Sequence, residues 1–400
     1  MLDNFNLLVQ RDPQNALLVA SEQWKQALFQ VEVISPENDG REIKNIVITG
    51  MGGSALAGLI VKKWLENEIT LPIEIIRNYN LPKSVSKNTL VIASSYSGNT
   101  EESISALNQA IEIGAQVATI SSHGKMEEIA RENQIAHVKL PAGLQPRMAV
   151  IYNFRALTKI LVNFGIISNE KHGEIEHYAD FLRKESESWV ASVSNDRNYA
   201  KQLALYSAGR SAVFLSSNEF SPLAYKWKIS WNENAKNISF FNEYPEFNHN
   251  EFIGWSSHPV EKLFAIFNLR SNFDHPRVQK RFEISDRLLS GKRPAARNIE
   301  LKGSTYLEQI FWGSILADFV SIYLAILNNV DPTPVELIEK LIRYANRYRK
   351  DNIEFHQQLT VAEQYYREYR YNKTLEIIRN ALDKVEPGAY ERIRNSVKAN

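Results

Sequence analysis

The chain has 400 residues, with 47 Lys and Arg against 46 Asp and Glu, eight His and no Cys. Without cysteine, disulfides, thiol catalysis, zinc ribbons and iron–sulfur clusters are excluded. The net charge of +1 gives the protein no strong overall positive potential, so neither nucleic acid nor an anionic membrane is an expected partner.

Targeting and metal-binding patterns do not stand out either. Residues 1–5 lack the basic start and apolar core of a signal peptide, and we expect no apolar run long enough to span a bilayer. The histidines are scattered without His-x-x-x-His spacing, so we expect no metal ion. These features together predict a cytoplasmic protein.

The first part of the chain alternates strands with helices after an amphipathic helix over 14–31. The predicted strands are 43–49, 73–77, 89–94, 116–121 and 136–140, and the predicted helices are 53–66, 100–114, 125–132 and 147–164. Apolar runs that do not alternate with polar residues indicate a parallel sheet buried on both faces. We therefore predict an α/β domain over residues 1–165.

Two short loops follow predicted strands and open predicted helices, namely Gly50–Ser54 and Ser95–Thr100. Backbone N–H groups at a helix start, together with the helix dipole, favour an anion. The loops add hydroxyl groups from Ser54, Ser95, Ser97 and Thr100. Neither loop has the spacing of a Walker nucleotide site. The pair predicts a bound phosphate, although each loop alone also fits a tight turn with a helix cap.

A second alternation follows a polar linker near 166–175. The predicted strands are 211–216, 237–241, 262–269 and 282–285, and the predicted helices are 173–190, 219–233, 250–254, 276–280 and 305–329. We therefore predict a second α/β domain over residues 173–346, with the same layered arrangement of strands and helices as the first. Residues 347–400 read as a helical extension of unknown role, either an oligomer arm or a docking appendage.

Two clusters in the second half carry groups suited to proton transfer. Glu233 ends a predicted helix near Trp231, whose apolar surroundings would raise the carboxyl pKa toward the range of a general base. His249 follows Asn248, a candidate N-cap with Glu251 as its capping-box partner, and a helix start favours neutral imidazole. A surface glutamate and a structural helix-start histidine are the alternatives.

Two further segments combine a structural and a chemical interpretation. Arg147 follows the last strand of the first sheet, where it would pair with a phosphate or an oxyanion, or simply begin a helix. Thr333, Pro334 and Glu336 fit a capping box, with Thr333 as N-cap. Lys340 lies seven residues later on nearly the same helix face, where it would reach a sugar oxygen or be solvated.

Six motifs together resemble the bifunctional phosphoglucose/phosphomannose isomerase family, which is built from two sugar isomerase (SIS) domains. They are Gly50-Met51-Gly52-Gly53-Ser54, Ser95-Tyr96-Ser97-Gly98-Asn99-Thr100-Glu101-Glu102, Pro146-Arg147, Asn232-Glu233-Asn234-Ala235-Lys236, Asn248-His249-Asn250-Glu251 and Asp331-Pro332-Thr333-Pro334-Val335-Glu336. The resemblance covers about residues 40–345. The serine-rich loop is common among SIS proteins, whereas the last three motifs are more discriminating.

The resemblance implies a metal-independent isomerase, without a cofactor, that interconverts fructose 6-phosphate with glucose 6-phosphate and mannose 6-phosphate. Glu233 would move a proton between C1 and C2 through a cis-enediol(ate), and Arg147 would stabilise its charge. His249, supplied by the partner subunit of a homodimer, and Lys340 would open the ring. Thr333 would give space and a hydrogen bond near C2. The residues implied to hold the phosphate are Gly53, Ser54, Ser95, Ser97 and Thr100.

The sequence departs from the family pattern at two places. The stretch after Arg147 is Met148–Tyr152 rather than a small, alanine-rich segment, and the extension beyond 347 is additional. Two other functions remain open, a non-catalytic SIS sensor of sugar phosphates and an SIS isomerase for another sugar phosphate. A sensor would need the serine loops but not Glu233, His249 and Lys340.

Overall fold

Two parallel β-sheets organise the first 333 residues in the computed structural model, which describes residues 1–256, 263–345, 371–392 and 395. The chain separates into two units, Met1–Thr333 and Pro334–Asn400, and both sheets lie in the first unit. The α/β fold class predicted from the sequence is confirmed, with two parallel sheets flanked by helices and a helical C-terminal region.

The first sheet has five parallel strands in the order β2-β1-β3-β4-β5. The strands are β1 (Asn45–Thr49), β2 (Ile73–Ile76), β3 (Thr89–Ser94), β4 (Gln116–Ser121) and β5 (Ala136–Lys139). The helices that precede or flank them are α1 (Phe5–Arg11), α2 (Ala16–Ser21), α3 (Gly52–Leu65), α4 (Glu101–Ile113), α5 (Lys125–Glu132) and α6 (Val150–Asn163). All six β3 residues are buried, as expected for a parallel sheet covered on both faces.

The second sheet has four parallel strands in the order β7-β6-β8-β9. The strands are β6 (Ser211–Ser217), β7 (Ser239–Tyr244), β8 (Phe264–Arg270) and β9 (Arg297–Glu300). The helices that follow α6 in the chain are α7 (Asn169–Gly173), α8 (Ala179–Glu187), α9 (Tyr199–Ser207), α10 (Ser221–Glu233), α11 (Glu251–Gly254), α12 (Pro276–Leu288) and α13 (Tyr306–Leu327). Four 3₁₀ segments complete this unit, at Gln23–Leu28, Pro146–Met148, Glu174–Tyr178 and Glu246–His249.

One helix, α13, lies in the hydrophobic core that both sheets share. It is long and apolar enough to cross a membrane by length and composition, so the expectation that no apolar run has this length is wrong. However, 94% of its most apolar window is buried inside the protein, which is the environment of a core helix.

Three predicted elements differ from the structure, one of them the helix predicted over 173–190, which is a 3₁₀ segment over Glu174–Tyr178 followed by α8. The strand predicted at 282–285 is part of α12, because Val278, Phe282 and Ser285 recur at helical spacing and face the core. The fourth strand is β9 instead, which carries one buried apolar residue and so gave no strand signal. The helix predicted over 14–31 is divided into α2 and a 3₁₀ turn that meet at Glu22.

The second unit contains two described helical segments, 336–345 (α14) and Tyr371–Val385 (α15). On α14, Leu337, Leu341 and Tyr344 are exposed apolar side chains. On α15, Ala381 is buried. Most of the predicted helical extension, namely 347–370, 393–394 and 396–400, lies outside the described residues.

Candidate functional site

The two serine-rich loops meet at the carboxyl ends of β1 and β3, which are neighbouring parallel strands. The Tyr96 backbone N–H donates to Ser54 Oγ at 3.2 Å and so joins one loop to the other. Within the second loop, Ser95 Oγ lies 2.7 Å from Thr100 Oγ1, and Ser97 Oγ accepts from the Asn99 N–H at 3.3 Å. The structure thus brings together the hydroxyl groups that the sequence singled out.

Gly53 sets the distance between the first loop and the segment that carries Arg147. A Cβ atom at Gly53 would lie 2.5 Å from the Pro146 carbonyl oxygen and 3.1 Å from the Arg147 nitrogen. No side chain fits there without moving one backbone away from the other. The loop Gly50–Ser54 and the Arg147 backbone are therefore in direct contact, at the start of α3.

Tyr96 makes a second connection, which sequence reasoning missed. Its hydroxyl donates to the Pro141 carbonyl at 2.7 Å and accepts from the Leu144 N–H at 3.0 Å. Burial raises the pKa of Tyr96, so the phenol remains a donor over the physiological range. Its place between Ser95 and Ser97 was the available signal, but nothing in the sequence indicated its partners.

Arg147 is buried, and all five of its guanidinium N–H groups have acceptors within the chain. Nε donates to Asn234 Oδ1, and one terminal nitrogen donates to Glu233 Oε2 at 3.0 Å and to Gln145 Oε1 at 3.2 Å. The other terminal nitrogen donates to the carbonyl oxygens of Pro332 and Thr333, both at 2.9 Å. One side chain thus joins three parts of the sequence, residues 145–147, 233–234 and 332–333.

Glu233 is the last residue of α10 and pairs with Arg147 at the edge of this cluster. Its side chain is 24% exposed, whereas that of Arg147 is 1% exposed. The expectation that Trp231 desolvates Glu233 is wrong, because Trp231 packs against Phe214 on another face of the helix. Burial lowers the pKa of Arg147, and the carboxylates of Glu233 and Asp318 oppose that change.

Thr333 lies beside Arg147 but does not cap a helix. Its backbone N–H donates to Asp331 Oδ1 at 2.9 Å, and its Oγ1 is buried without a hydrogen-bond partner. The described helix α14 begins at residue 336. The predicted capping box is therefore wrong, and the threonine hydroxyl is buried with its hydrogen-bonding capacity unused, in a residue whose carbonyl accepts from Arg147.

His249 lies at the opposite end of β7 from Glu233. Glu233 comes just before the strand, and His249 ends the 3₁₀ segment just after it, with six strand residues spanning about 20 Å between them. The two also belong to opposite faces of the sheet. Trp231 packs against Phe214 in the shared core, whereas Phe247 lies with Phe282 and Leu215 in a second hydrophobic cluster. Within one chain, the structure does not bring His249 to Glu233.

The predicted cap before His249 is also wrong. Asn250, not Asn248, is the N-cap of α11, and its side chain accepts from the Glu251 N–H. Asn248 instead donates to Ser285 Oγ at 2.9 Å and accepts from Arg281. His249 is exposed and precedes this helix rather than lying in its first turn.

The last predicted residue, Lys340, lies on α14 in the second unit and is exposed. Among the described residues, no group of three or more His, Cys, Asp or Glu side chains is placed to hold a metal ion.

Three family models match the chain. Residues 41–157 match the SIS domain, and residues 196–343 match the bacterial phospho-glucose isomerase C-terminal SIS domain. Residues 333–397 match the septation ring formation regulator EzrA.

The relatives agree with these matches. A bifunctional phosphoglucose/phosphomannose isomerase of Caldicellulosiruptor bescii is 36% identical over 310 residues, which are 77% of this chain and 91% of that protein. The septation ring formation regulator EzrA of Listeria monocytogenes is 44% identical over 66 residues, 16% of this chain and only 12% of that protein.

Solved structures support the fold. The C-terminal domain of glucosamine-fructose-6-phosphate aminotransferase from Francisella tularensis superposes with a TM-score of 0.61 at 14% identity. The superposition covers 84% of this chain and 100% of that one. At this identity the likeness concerns the arrangement of strands and helices.

Proposed function

Since the chain belongs to the bifunctional phosphoglucose/phosphomannose isomerase family, we propose that it interconverts fructose 6-phosphate with glucose 6-phosphate and mannose 6-phosphate without a metal ion. The chain is a sugar-phosphate isomerase, and its substrate is a hexose phosphate. The observation that carries the finer proposal is the Arg147–Glu233 ion pair, held against two hydroxyl-rich loops by the contact at Gly53.

The loops bind the phosphate in this proposal. Backbone N–H groups at the start of α3 and the hydroxyls of Ser54, Ser95, Ser97 and Thr100 supply neutral donors at the carboxyl edge of the sheet. Binding energy from the distant phosphate then orients the reacting carbons beside Glu233.

Glu233 is the general base in this proposal. It takes the proton from C2 of the open-chain aldose, the C–H electron pair forms the C1–C2 double bond, and the carbonyl electrons move to the C1 oxygen to give the cis-enediolate. The C2 hydroxyl proton passes to the C1 oxygen, Glu233 returns its proton to C1, and the electrons of the C2 oxygen form the carbonyl at C2, which completes the ketose. As Glu233 becomes neutral, its bond to Arg147 weakens, so the guanidinium charge becomes available to the developing oxyanion.

Thr333 would contact the sugar near C2. Its buried Oγ1 is the unpartnered hydroxyl beside Arg147, and a buried polar group without a partner is costly unless a ligand satisfies it. A single hydroxyl near C2 is compatible with either epimer, which is what acting on both glucose and mannose phosphates requires.

Ring opening would use the partner subunit's His249 together with Lys340. The separation of Glu233 from His249 at opposite ends and faces of the β7 region supports sharing of sites between two copies. We therefore also propose a homodimer, and a cytoplasmic location where hexose phosphates occur.

Glu233→Gln tests the proposal most simply. Loss of a general base typically lowers the rate about 10²- to 10⁴-fold, and we expect a loss of kcat in that range with KM little changed. Fructose 6-phosphate formation would be measured from each hexose phosphate, with and without EDTA. Glu187→Gln, at an exposed helix position, is the matched control.

An unchanged rate in Glu233→Gln would overturn the assignment of the base, and loss of wild-type activity in EDTA would overturn metal independence. Phosphate binding without turnover of any sugar phosphate would favour the sensor function. Turnover of amino-sugar or pentose phosphates alone would favour an SIS isomerase of different specificity.

We propose a second, separable function for the C-terminal region, from its similarity to a septation regulator over residues 333–397. The segment would dock the enzyme onto the septation apparatus. A fluorescent fusion of the full chain should then concentrate at division sites, while a version ending at residue 345 should be diffuse and equally active. If the full-chain fusion and the shortened fusion have the same distribution in the cell, docking is contradicted. The role of an oligomer arm is then the interpretation that is left for this segment.

A further inference from the structure

A buried layer of polar side chains lies behind Arg147. Lys226 on α10 and Asp318 on α13 form an ion pair at 2.6 Å, and neither side chain is reached by solvent. Lys226 Nζ also donates to the Arg147 backbone carbonyl at 2.7 Å. The ion pair thus acts directly on the main chain of the residue that pairs with Glu233.

Asp318 is held from three directions. Besides Lys226, it accepts from Ser230 Oγ at 2.8 Å and from Gln23 Nε2 at 2.7 Å. These partners come from α10 and from the 3₁₀ segment near the N-terminus, so the carboxylate joins elements that are far apart in the sequence. With these hydrogen bonds it is fixed in one orientation.

A second path runs from Asp318 to the Arg147 side chain. Asn234 accepts from Arg147 Nε and donates to Ser321 Oγ at 2.8 Å. Ser321 Oγ in turn donates to the Asp318 carbonyl at 3.1 Å. Both the backbone and the guanidinium of Arg147 are therefore connected to α13 at one point.

Burying an ion pair has a large desolvation cost, and apolar side chains of similar volume often stabilise the folded state as well or better. Burial lowers the pKa of Lys226, and the Asp318 carboxylate opposes that change. With Arg147 and Glu233 the pair completes a neutral group of two cations and two anions. Stability alone does not explain these residue types here.

We propose that Lys226 and Asp318 are positioning residues of the isomerase, which hold Arg147 so that its guanidinium meets both Glu233 and the developing oxyanion. The inference rests on the proposed function. Because the donors proposed for the phosphate are the amides and hydroxyls of the serine-rich loops and not the Arg147 guanidinium, loss of this positioning acts mainly on kcat and changes KM much less.

Lys226→Gln is the test, with Lys201→Gln as the matched control. Lys201 is equally buried and donates to a carboxylate and two backbone carbonyls, those of Asp3, Ala191 and Val193, with no contact to Arg147. A misplacement near 1 Å costs up to about 100-fold in rate. We expect Lys226→Gln to lose about 10- to 100-fold in kcat, and Lys201→Gln to keep wild-type kcat at a comparable loss of thermal stability.

Affinity for glucitol 6-phosphate, which carries the same phosphate but no carbonyl, provides a readout besides turnover. It should be the same in wild type and Lys226→Gln. If Lys226→Gln does not fold, Ser230→Ala removes one partner of Asp318 without leaving an unpaired charge, and it should lower kcat a few-fold at constant KM.

The outcomes separate the two claims. A wild type that isomerises no hexose phosphate overturns the proposed function and, with it, the inference. An active wild type with equal kcat in Lys226→Gln and Lys201→Gln overturns the positioning role alone. A rise in KM, or weaker glucitol 6-phosphate binding, without loss of kcat would also overturn it.

Discussion

Arg147 has no N–H group to spare within the chain, and this limits what it contributes to a reaction. Its five donors are already used, and four of them bind neutral oxygens, those of Asn234, Gln145, Pro332 and Thr333. Only the bonds to Glu233 and Gln145 involve side chains at the edge of the cluster. We infer that proton uptake by Glu233, rather than movement of the arginine, redirects the charge.

His172 gives a prediction about pH and stability. It is 7% exposed beside Thr158, and burial lowers its pKa to about 4 from an ordinary 6.5, with Arg155 and Lys159 adding to the effect. Between pH 6.5 and 4 the unfolded chain takes up a proton that the folded chain does not. The free energy of unfolding therefore falls as the pH falls through this window, by about 3 kcal/mol from this group.

Denaturant unfolding of wild type and His172→Gln at several pH values measures this contribution. The stability difference between the two should shift by about 3 kcal/mol in favour of the variant as the pH falls from 7 to 4. Other groups cancel in the comparison, including Asp274, whose pKa burial raises to about 6. A difference for His172→Gln that stays constant from pH 7 to 4 would contradict this contribution of His172.

Among the elements, the anion-binding character of the loop Gly50–Ser54 was predictable from the sequence, whereas the segments that it contacts in the fold were not. Glycine and hydroxyl residues after β-branched strands indicated an anion loop from local sequence alone. The contacts of Arg147 join residues as much as 186 positions apart, so no local pattern contained them. The prediction of a strand at 282–285 was wrong because it also used local sequence alone. A short apolar run does not distinguish a strand from the buried face of a helix.

The capping predictions failed through competing partners. The Asn248 side chain forms its hydrogen bond with Ser285 on α12 rather than with the helix that follows it. The Thr333 N–H donates to Asp331 rather than taking part in a capping box. Lys226 and Asp318 were invisible for a simpler reason. A lysine in a helix usually lies at the surface, and only tertiary packing shows that this one is buried.

Gly53→Ala tests the contact between the phosphate loop and the Arg147 segment. The new Cβ would lie 2.5 Å from the Pro146 carbonyl oxygen, so the two backbones must separate. We expect about a 10- to 100-fold loss of kcat/KM, because both the phosphate and Arg147 are displaced. Steady-state kinetics measure this effect. Gly173→Ala, where nothing lies within 4 Å of the added Cβ, is the matched control, and equal activity of both variants would contradict the claim.

At the scale of the whole molecule, residues 1–333 carry two sheets around one shared hydrophobic core. The domain boundaries 1–165, 173–346 and 347–400 remain a proposal. Within this unit, Glu233 and His249 lie at opposite ends of β7, one strand length apart. If both residues act in one reaction, then two copies of the chain must contribute to each site.

Mixing two inactive variants tests this central claim most directly. Glu233→Gln and His249→Asn would be unfolded together in equal amounts, refolded, and assayed for conversion of glucose 6-phosphate to fructose 6-phosphate. Half of the dimers would then be mixed, each with one intact site out of two, so the account predicts about one quarter of wild-type activity. Activity no greater than the mean of the two variants refolded separately would contradict shared sites built from Glu233 and the partner subunit's His249.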